Sequence, residues 1–177
     1  DDMEDLVESF RDSLGKLGNN WGVFVELWLS SKDDVAEHPA DALVSSKEEP
    51  FPDWASDETQ IRKYQVDDGA VTDCDGRTIG AFIQIENDEG QAAALEFVGL
   101  ADWLLIDCPD WQMIPLENLV AAADQTSTKL AATISNTDQL QGAAFALQRG
   151  VDALILPDDE GIWRVAQQLA AQRLSDL

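Results

Sequence analysis

Most of the residues in this chain that could do chemistry are carboxylates, and their value depends on where a fold would put them. In parallel α/β folds, ligands lie beyond the carboxyl ends of the strands. Applied to the apolar runs of this sequence, that rule selects Glu26, Ser45, Glu86, Asp107, Ser135 and Asp158. Paired carboxylates can carry acid–base catalysis. In a chain with 35 acids, however, such pairs are too plentiful to be evidence of it. An acid or hydroxyl at any of these six positions is also what a loop start or a helix cap requires.

Other chemistries find less support. Lys129 opens the apolar run "KLAATIS", and a buried lysine can form a Schiff base. It sits at the amino end of its strand, the wrong end for catalysis, and reads better as a solvated or salt-bridged lysine. The sole histidine, His38, precedes Pro39 in an acidic loop and reads as an exposed imidazole. Cys74 falls in a turn, and with Cys108 it is expected to be a buried or half-buried thiol. With one His and two distant Cys, no metal site is expected. No Gly-rich phosphate loop is present, so a self-contained nucleotide site is not expected.

The net charge of -24 excludes partners of like charge. It repels phosphate, which argues against nucleic acid, and it opposes adhesion to an anionic membrane surface. No apolar run reaches the roughly twenty residues needed to cross a bilayer. The acids are dispersed rather than gathered in a tail, as on a solvated surface. A salt-adapted cytosol, a plastid or secreted compartment, or a basic partner protein would each account for them.

The elements that must position these residues follow from periodicity. At 177 residues the chain (1–177) is expected to be a single α/β domain. Met3, Leu6, Val7, Phe10, Leu14 and Leu17 predict an amphipathic helix over 1–18, stopped near Gly18. "WGVFVELWL", Trp21 to Leu29, predicts a strand. "SSKDDVAEHPADALVSS" predicts a short helix, a break at Pro39 and a strand near Ala42–Ser45. Residues 47–60, with two prolines and many acids, form a loop. Asp68-Gly69 and Asp75-Gly76 are turn signals, and the second lies between apolar alternations as a hairpin requires. Ile79 to Ile85 is the strongest strand of this middle part.

From residue 91 a regular rhythm sets in. A helix over Gln91–Leu100 precedes "DWLLIDC", "PLENLVAAADQ" precedes "KLAATIS", and "TDQLQGAAFALQRG" precedes "DALILPDD". Apolar strands each followed by a helix, here over 101–177, are βα units of a parallel sheet. In "DWQMIPLENLVAAA" Pro115 suits a first helical turn, where its missing N–H would have had no partner. Glu117 and Asn118 are expected in that same turn, with Glu117 favourably placed against the helix dipole. Trp111 is placed to cap the sheet end or line a pocket.

Together, "DWLLIDCPDWQMIPLENLVAA" and "TKLAATISNTDQLQGAAFALQRGVDALILPDD" resemble the type II 3-dehydroquinate synthases, found in archaea with relatives in cyanobacteria and plastids. The marks of the resemblance are Asp110, Trp111, Ile114, Pro115, Glu117 and Asn118, then the lysine-led strand and the segment Gly150–Leu156. It implies a βα-barrel-like fold, here partial or distorted, with parallel strands and a β-hairpin insertion. The activity implied is an NAD-dependent oxidative deamination and cyclisation of an amino-sugar acid to 3-dehydroquinate.

Full members of that family are considerably longer, so the resemblance covers an amino-terminal half. Two expectations follow. In the first, the chain is a non-catalytic accessory or assembly subunit of a larger complex, with protein partners, a plastid location and no cofactor of its own. A salt-adapted prokaryotic cytoplasm is the alternative location. In the second, it is a fragment or split half of an NAD-dependent synthase. Glu86, Asp107 and Glu117 would then line the pocket beside the motif residues Asp110, Trp111, Pro115 and Asn118.

Overall fold

The computed structural model describes residues 25–31, 35–55, 61–109, 113–145 and 150–175. Eight strands close into a barrel: β1 (Glu26–Ser31), β2 (Ala42–Ser46), β3 (Arg62–Asp67), β4 (Ala70–Thr72), β5 (Thr78–Gln84), β6 (Trp103–Asp107), β7 (Lys129–Thr133) and β8 (Ala153–Leu156). The barrel is complete rather than partial, because β8 pairs in parallel with β1, Leu154 opposite Leu27. Closure leaves no sheet edge exposed. Only β4 runs antiparallel, between β3 and β5. The hairpin expected around Asp75-Gly76 is therefore a barrel stave and not an insertion. Asp68, Gly69 and Gly76 have positive φ (47°, 77° and 76°), which is the backbone its two turns demand.

Alternation along the strands divides the apolar residues into two sets. Trp28, Tyr64, Trp103, Leu105 and Ile155 point into the barrel. Trp28 on β1 and Trp103 on β6 are not ladder neighbours, yet their rings lie 4.5 Å apart, and Tyr64 on β3 is 4.9 Å from Trp28. Contact between non-adjacent strands places these rings in the barrel's centre. The alternate residues Leu27, Leu29, Leu43, Leu104, Ile106, Leu130 and Leu154 face outward into a second core. Among the described residues four helices cover this core: α1 (Asp88–Phe97), α2 (Met113–Ala123), α3 (Thr137–Phe145) and α4 (Glu160–Ser175).

The helices follow β5 to β8 and complete the βα rhythm expected from residue 91 onward, with α1 starting three residues earlier than Gln91. The other half of the barrel is built differently. The short helix expected between β1 and β2 is absent from the described residues: 35–40 form an irregular crossover. Asp158 holds the Ala36 N–H, and Trp54 Nε1 donates to the Val35 carbonyl, which replaces helical partners with distant ones. The helix expected over 1–18 and the first four residues of the strand expected from Trp21 lie outside the described residues. Among the described residues no helix is long and apolar enough to cross a membrane.

Candidate functional site at the carboxyl mouth of the barrel

Seven strands point their carboxyl ends to one mouth, and alternation decides which side chains reach it. Asp107 shares the inward parity of Trp103 and Leu105, and its register partner on β5 is Gln84. Thr133 shares the parity of Ala131 on β7, and Ser30 that of Trp28 on β1. Ser30, Gln84, Asp107 and Thr133 therefore converge on the barrel axis above the aromatic plug. Sequence reasoning selected Asp107 but missed the other three. The alternation within "TIGAFIQ" and "KLAAT" carries the signal that would have found Gln84 and Thr133.

Asp107 is half-buried, and the removal of water pushes its carboxyl above the ordinary carboxylate range. The neighbouring Cys108 is buried facing the outer core. Its thiol is pushed up to about 11 by burial first and by the Asp107 charge second. A carboxyl with weakened acidity at a barrel mouth is suited to give and take a proton.

The other residues selected from the sequence fall around this centre unevenly. Glu86 is exposed in the loop after β5, next to the α1 cap. Glu117 is half-buried, but α2 begins at Met113, so Glu117 is its fifth residue rather than part of its first turn. Pro115, the third residue, keeps a place in that turn, and Asn118 is exposed. Asp110 and Trp111 lie outside the described residues. Ser135 is exposed beyond β7, its N–H bonded to Gln139 Oε1. Ser45 faces outward, and its hydroxyl donates to the Glu49 carbonyl at 2.8 Å.

Glu26 is a correction. It opens β1 instead of closing it, because the pairing of Glu26 with Ala153 shifts the strand toward Ser31. The apolar run Trp21–Leu29 lacks alternation, so it gave no phase from which to place the strand's end. At the amino end Glu26 accepts from Trp28 Nε1 at 2.7 Å and pairs with Arg62, whose guanidinium lies 5.9 Å from the Trp28 ring centre. Lys129 is at this end too, as expected, with Nζ 5.5 Å from the Trp103 ring centre. A cavity of about 330 Å³ also opens here, lined by Arg62, Tyr64, Asp73, Cys74, Asp102 and Trp103 among others. It lies at the end of the barrel where side chains ordinarily serve stability.

His38 is a second correction. Its side chain is 9% exposed, with Nε2 2.6 Å from Asp158 Oδ1 and its ring stacked on Trp163 at 4.7 Å. Cys74 is a third, being exposed. Among the described residues no group of three or more His, Cys, Asp or Glu is arranged to hold a metal.

Three of the helix starts at the mouth have a common character, whereas α2 has no acid in its first turn. Asn87 Oδ1 caps Gly90 N–H on α1, Asn136 Oδ1 caps Gln139 N–H on α3, and Asp159 Oδ1 caps Ile162 N–H on α4. Acids occupy the first turns: Asp88 and Glu89, then Asp138, then Glu160. A helix start attracts phosphate through free N–H groups and its positive dipole end. These three are occupied by their own side chains and screened by negative charge.

Comparison with known proteins identifies a family. The family model for the 3-dehydroquinate synthase II N-terminal domain matches residues 31–167. A 3-dehydroquinate synthase of Methanothrix thermoacetophila is 35% identical over 101 residues, covering 56% of this chain and 27% of that protein. One from Methanococcoides burtonii is 33% identical over 85 residues, covering 48% of the chain and 22% of the relative. One from Methanocaldococcus jannaschii is 31% identical over 83 residues, covering 46% and 23%. The chain thus spans about a quarter of the length of the curated relatives it matches. No solved structure matches.

Proposed function

Because the chain belongs to the 3-dehydroquinate synthase II N-terminal domain family, we propose that it is the substrate-side barrel of such a synthase and completes its site with a further portion of the enzyme. The observation that carries this reading is Asp107, a half-buried carboxyl with raised pKa at the carboxyl mouth, beside Gln84 and Thr133. An amino-sugar acid presents an ammonium and several hydroxyls. Asp107 takes the proton-transfer role, while Gln84, Thr133 and Ser30 hydrogen-bond the hydroxyls. Glu86 and Glu117 sit farther out, where they favour a cationic group electrostatically.

The starts of α1, α3 and α4 do not fit NAD. Its pyrophosphate needs free backbone N–H groups, and these starts are capped and acidic. In this reading the dinucleotide is held by other parts of the synthase. That same observation favours a second reading, in which the chain is a non-catalytic accessory subunit of a larger complex, in a plastid or another compartment.

A turnover assay separates the two. The chain is mixed with a separately produced carboxy-terminal portion of the Methanothrix relative, substrate and NAD, and 3-dehydroquinate is followed. Product that disappears with Asp107→Asn supports the barrel reading. No product at any ratio, with the intact relative active in parallel, sinks it.

A further inference from the structure

The cavity at the amino end of the barrel is lined by hydrogen-bond donors that the fold leaves unused. Buried tyrosine hydroxyls and tryptophan N–H groups ordinarily find a partner. Trp28, Trp54 and Trp163 do, each donating its indole N–H to an oxygen of the chain. Trp103, only 7% exposed, donates its own to nothing among the described residues. Tyr64 is equally buried. Its hydroxyl accepts a long contact of 3.4 Å from Arg62 Nη1 and donates to no described group. Arg62 commits Nη2 to Glu26, and its other N–H groups have no acceptor among the described residues beyond that phenol. All three side chains line the same space of about 330 Å³, which is within the range of small-molecule sites.

The same cavity has unused acceptors. Asp73 Oδ1 takes the N–H groups of Asp75 and Arg77 at 3.0 and 2.9 Å, and Asp102 Oδ2 takes Arg77 Nη2 at 3.3 Å. The second oxygen of each, Asp73 Oδ2 and Asp102 Oδ1, meets no donor among the described residues. The Asp73 charge reaches Tyr64, whose ionisation it opposes, so donors and acceptors are neighbours. The rest of the wall is apolar, from Ile79 and the Tyr64 and Trp103 rings. An inorganic phosphate would satisfy the donors, but it would meet two carboxylates and leave that wall bare. A simple amine would satisfy the carboxylates and leave two buried donors unmet, each a desolvation cost.

We propose that this cavity binds a free α-amino acid with an apolar side chain. Its carboxylate accepts from Tyr64 Oη, Trp103 Nε1 and Arg62, and its ammonium donates to Asp73 and Asp102. Its side chain lies against Ile79 and the two rings. The cavity is at the opposite end of the barrel from Asp107, so the proposal stands whether or not the mouth is catalytic.

Cys74 lines the same cavity and is exposed, which makes it a local reporter. The experiment follows its reaction with a chromogenic disulfide in the full chain as L-leucine is added, and repeats the titration by calorimetry. The expected result is saturable protection of Cys74, with the same midpoint by both methods. 4-Methylpentanoate lacks the ammonium and 3-methylbutylamine lacks the carboxylate. Each should bind about tenfold more weakly or worse, the scale of a lost charge-assisted hydrogen bond. Tyr64→Phe keeps the ring and removes one donor, and Asp102→Asn removes a charge at an exposed position. Each should weaken L-leucine about fivefold or more, with the circular dichroism spectrum retained. Asp102→Asn should leave 4-methylpentanoate unweakened, a selectivity that structural damage would not produce. Absence of both protection and heat with L-leucine overturns the proposal. So does equal binding of L-leucine and either analogue, and so does wild-type affinity in Tyr64→Phe.

Discussion

His38 and Asp158, 120 residues apart, meet at 2.6 Å and fasten the crossover between β1 and β2 to the loop between β8 and α4. Asp158 also accepts the Ala36 N–H at 3.1 Å, and the His38 ring lies flat on Trp163, 7° from parallel. Trp163 in turn donates its Nε1–H to the Pro157 carbonyl. The crossover from β1 to β2 has no helix among its described residues to bury, so this latch provides the order a helix would otherwise give.

Asp158→Asn is expected to destabilise the fold by about 1 kcal/mol in urea unfolding, the scale of a part-exposed charge-assisted hydrogen bond after solvent screening. The His38 hydrogen bond first, and the Ala36 N–H second, hold the Asp158 carboxyl below its ordinary range. A carboxyl depressed by folding contributes stability above its unfolded pKa, which is lost as pH falls through the folded one. The gap between wild type and Asp158→Asn should therefore hold from pH 7 to about 5 and close below about 4.

Glu26→Ala should cost more, about 2–3 kcal/mol. It removes the acceptor of a Trp28 Nε1–H on a fully buried residue and the partner of Arg62 together. Chemical denaturation with and without 0.5 M salt checks this. Most of the loss should persist in salt, because the orphaned indole N–H is a desolvation cost that ions do not screen.

How much of this was legible in the sequence depended on how local each feature is. "DWLLIDC", "KLAATIS" and "DALILPDD" are short apolar runs between amphipathic helices, and local periodicity was enough to give β6 to β8 and the direction of their chain ends. The barrel closure was not legible, since it rests on β8 pairing with β1 more than a hundred residues away. The phase of β1 was lost in an unbroken apolar run, which placed Glu26 at the wrong end. His38 looked like a loop imidazole because nothing near it in sequence announces Asp158 or Trp163. Asp107 was found because a strand ends there, while Gln84 and Thr133 needed the inward parity that only a closed barrel defines.

Asp107→Asn should separate activity from stability. Burial raises this carboxyl's pKa, so folding disfavours its charged form. A carboxyl raised by folding subtracts stability once pH exceeds its folded pKa and subtracts none below its unfolded pKa. The variant should thus match or slightly exceed the wild type in stability at pH 7, within about 0.5 kcal/mol. The two should converge near pH 3.5. Thermal unfolding at both pH values tests the sign, and loss of product in the reconstituted assay tests the role.

The two thiols should react very differently. Cys74 is exposed, while Cys108 is 7% exposed with its thiol pushed up to about 11. At pH 8 the thiolate fraction of Cys108 is on the order of one in a thousand, and the thiolate is the reactive form. Titration with a chromogenic disulfide should therefore release one equivalent per native chain quickly. A second should follow only on the timescale of unfolding.

Gly80→Ala should be the most damaging small substitution in the barrel. Gly80 on β5 lies opposite Trp103, and a Cβ there would come within 1.7 Å of the Trp103 carbonyl oxygen. The obstacle is backbone, so no side-chain rotation relieves it; either β5 and β6 separate or the ladder shifts. Overpacking of this kind costs about 3 kcal/mol or more. Trp103 also carries the ring contact with Trp28, so displacing it loosens the aromatic plug beneath Asp107. Equilibrium denaturation should show a drop of that size, with red-shifted tryptophan emission before the main transition. Near wild-type stability and emission would mean that β5 and β6 do not approach as closely as this register requires.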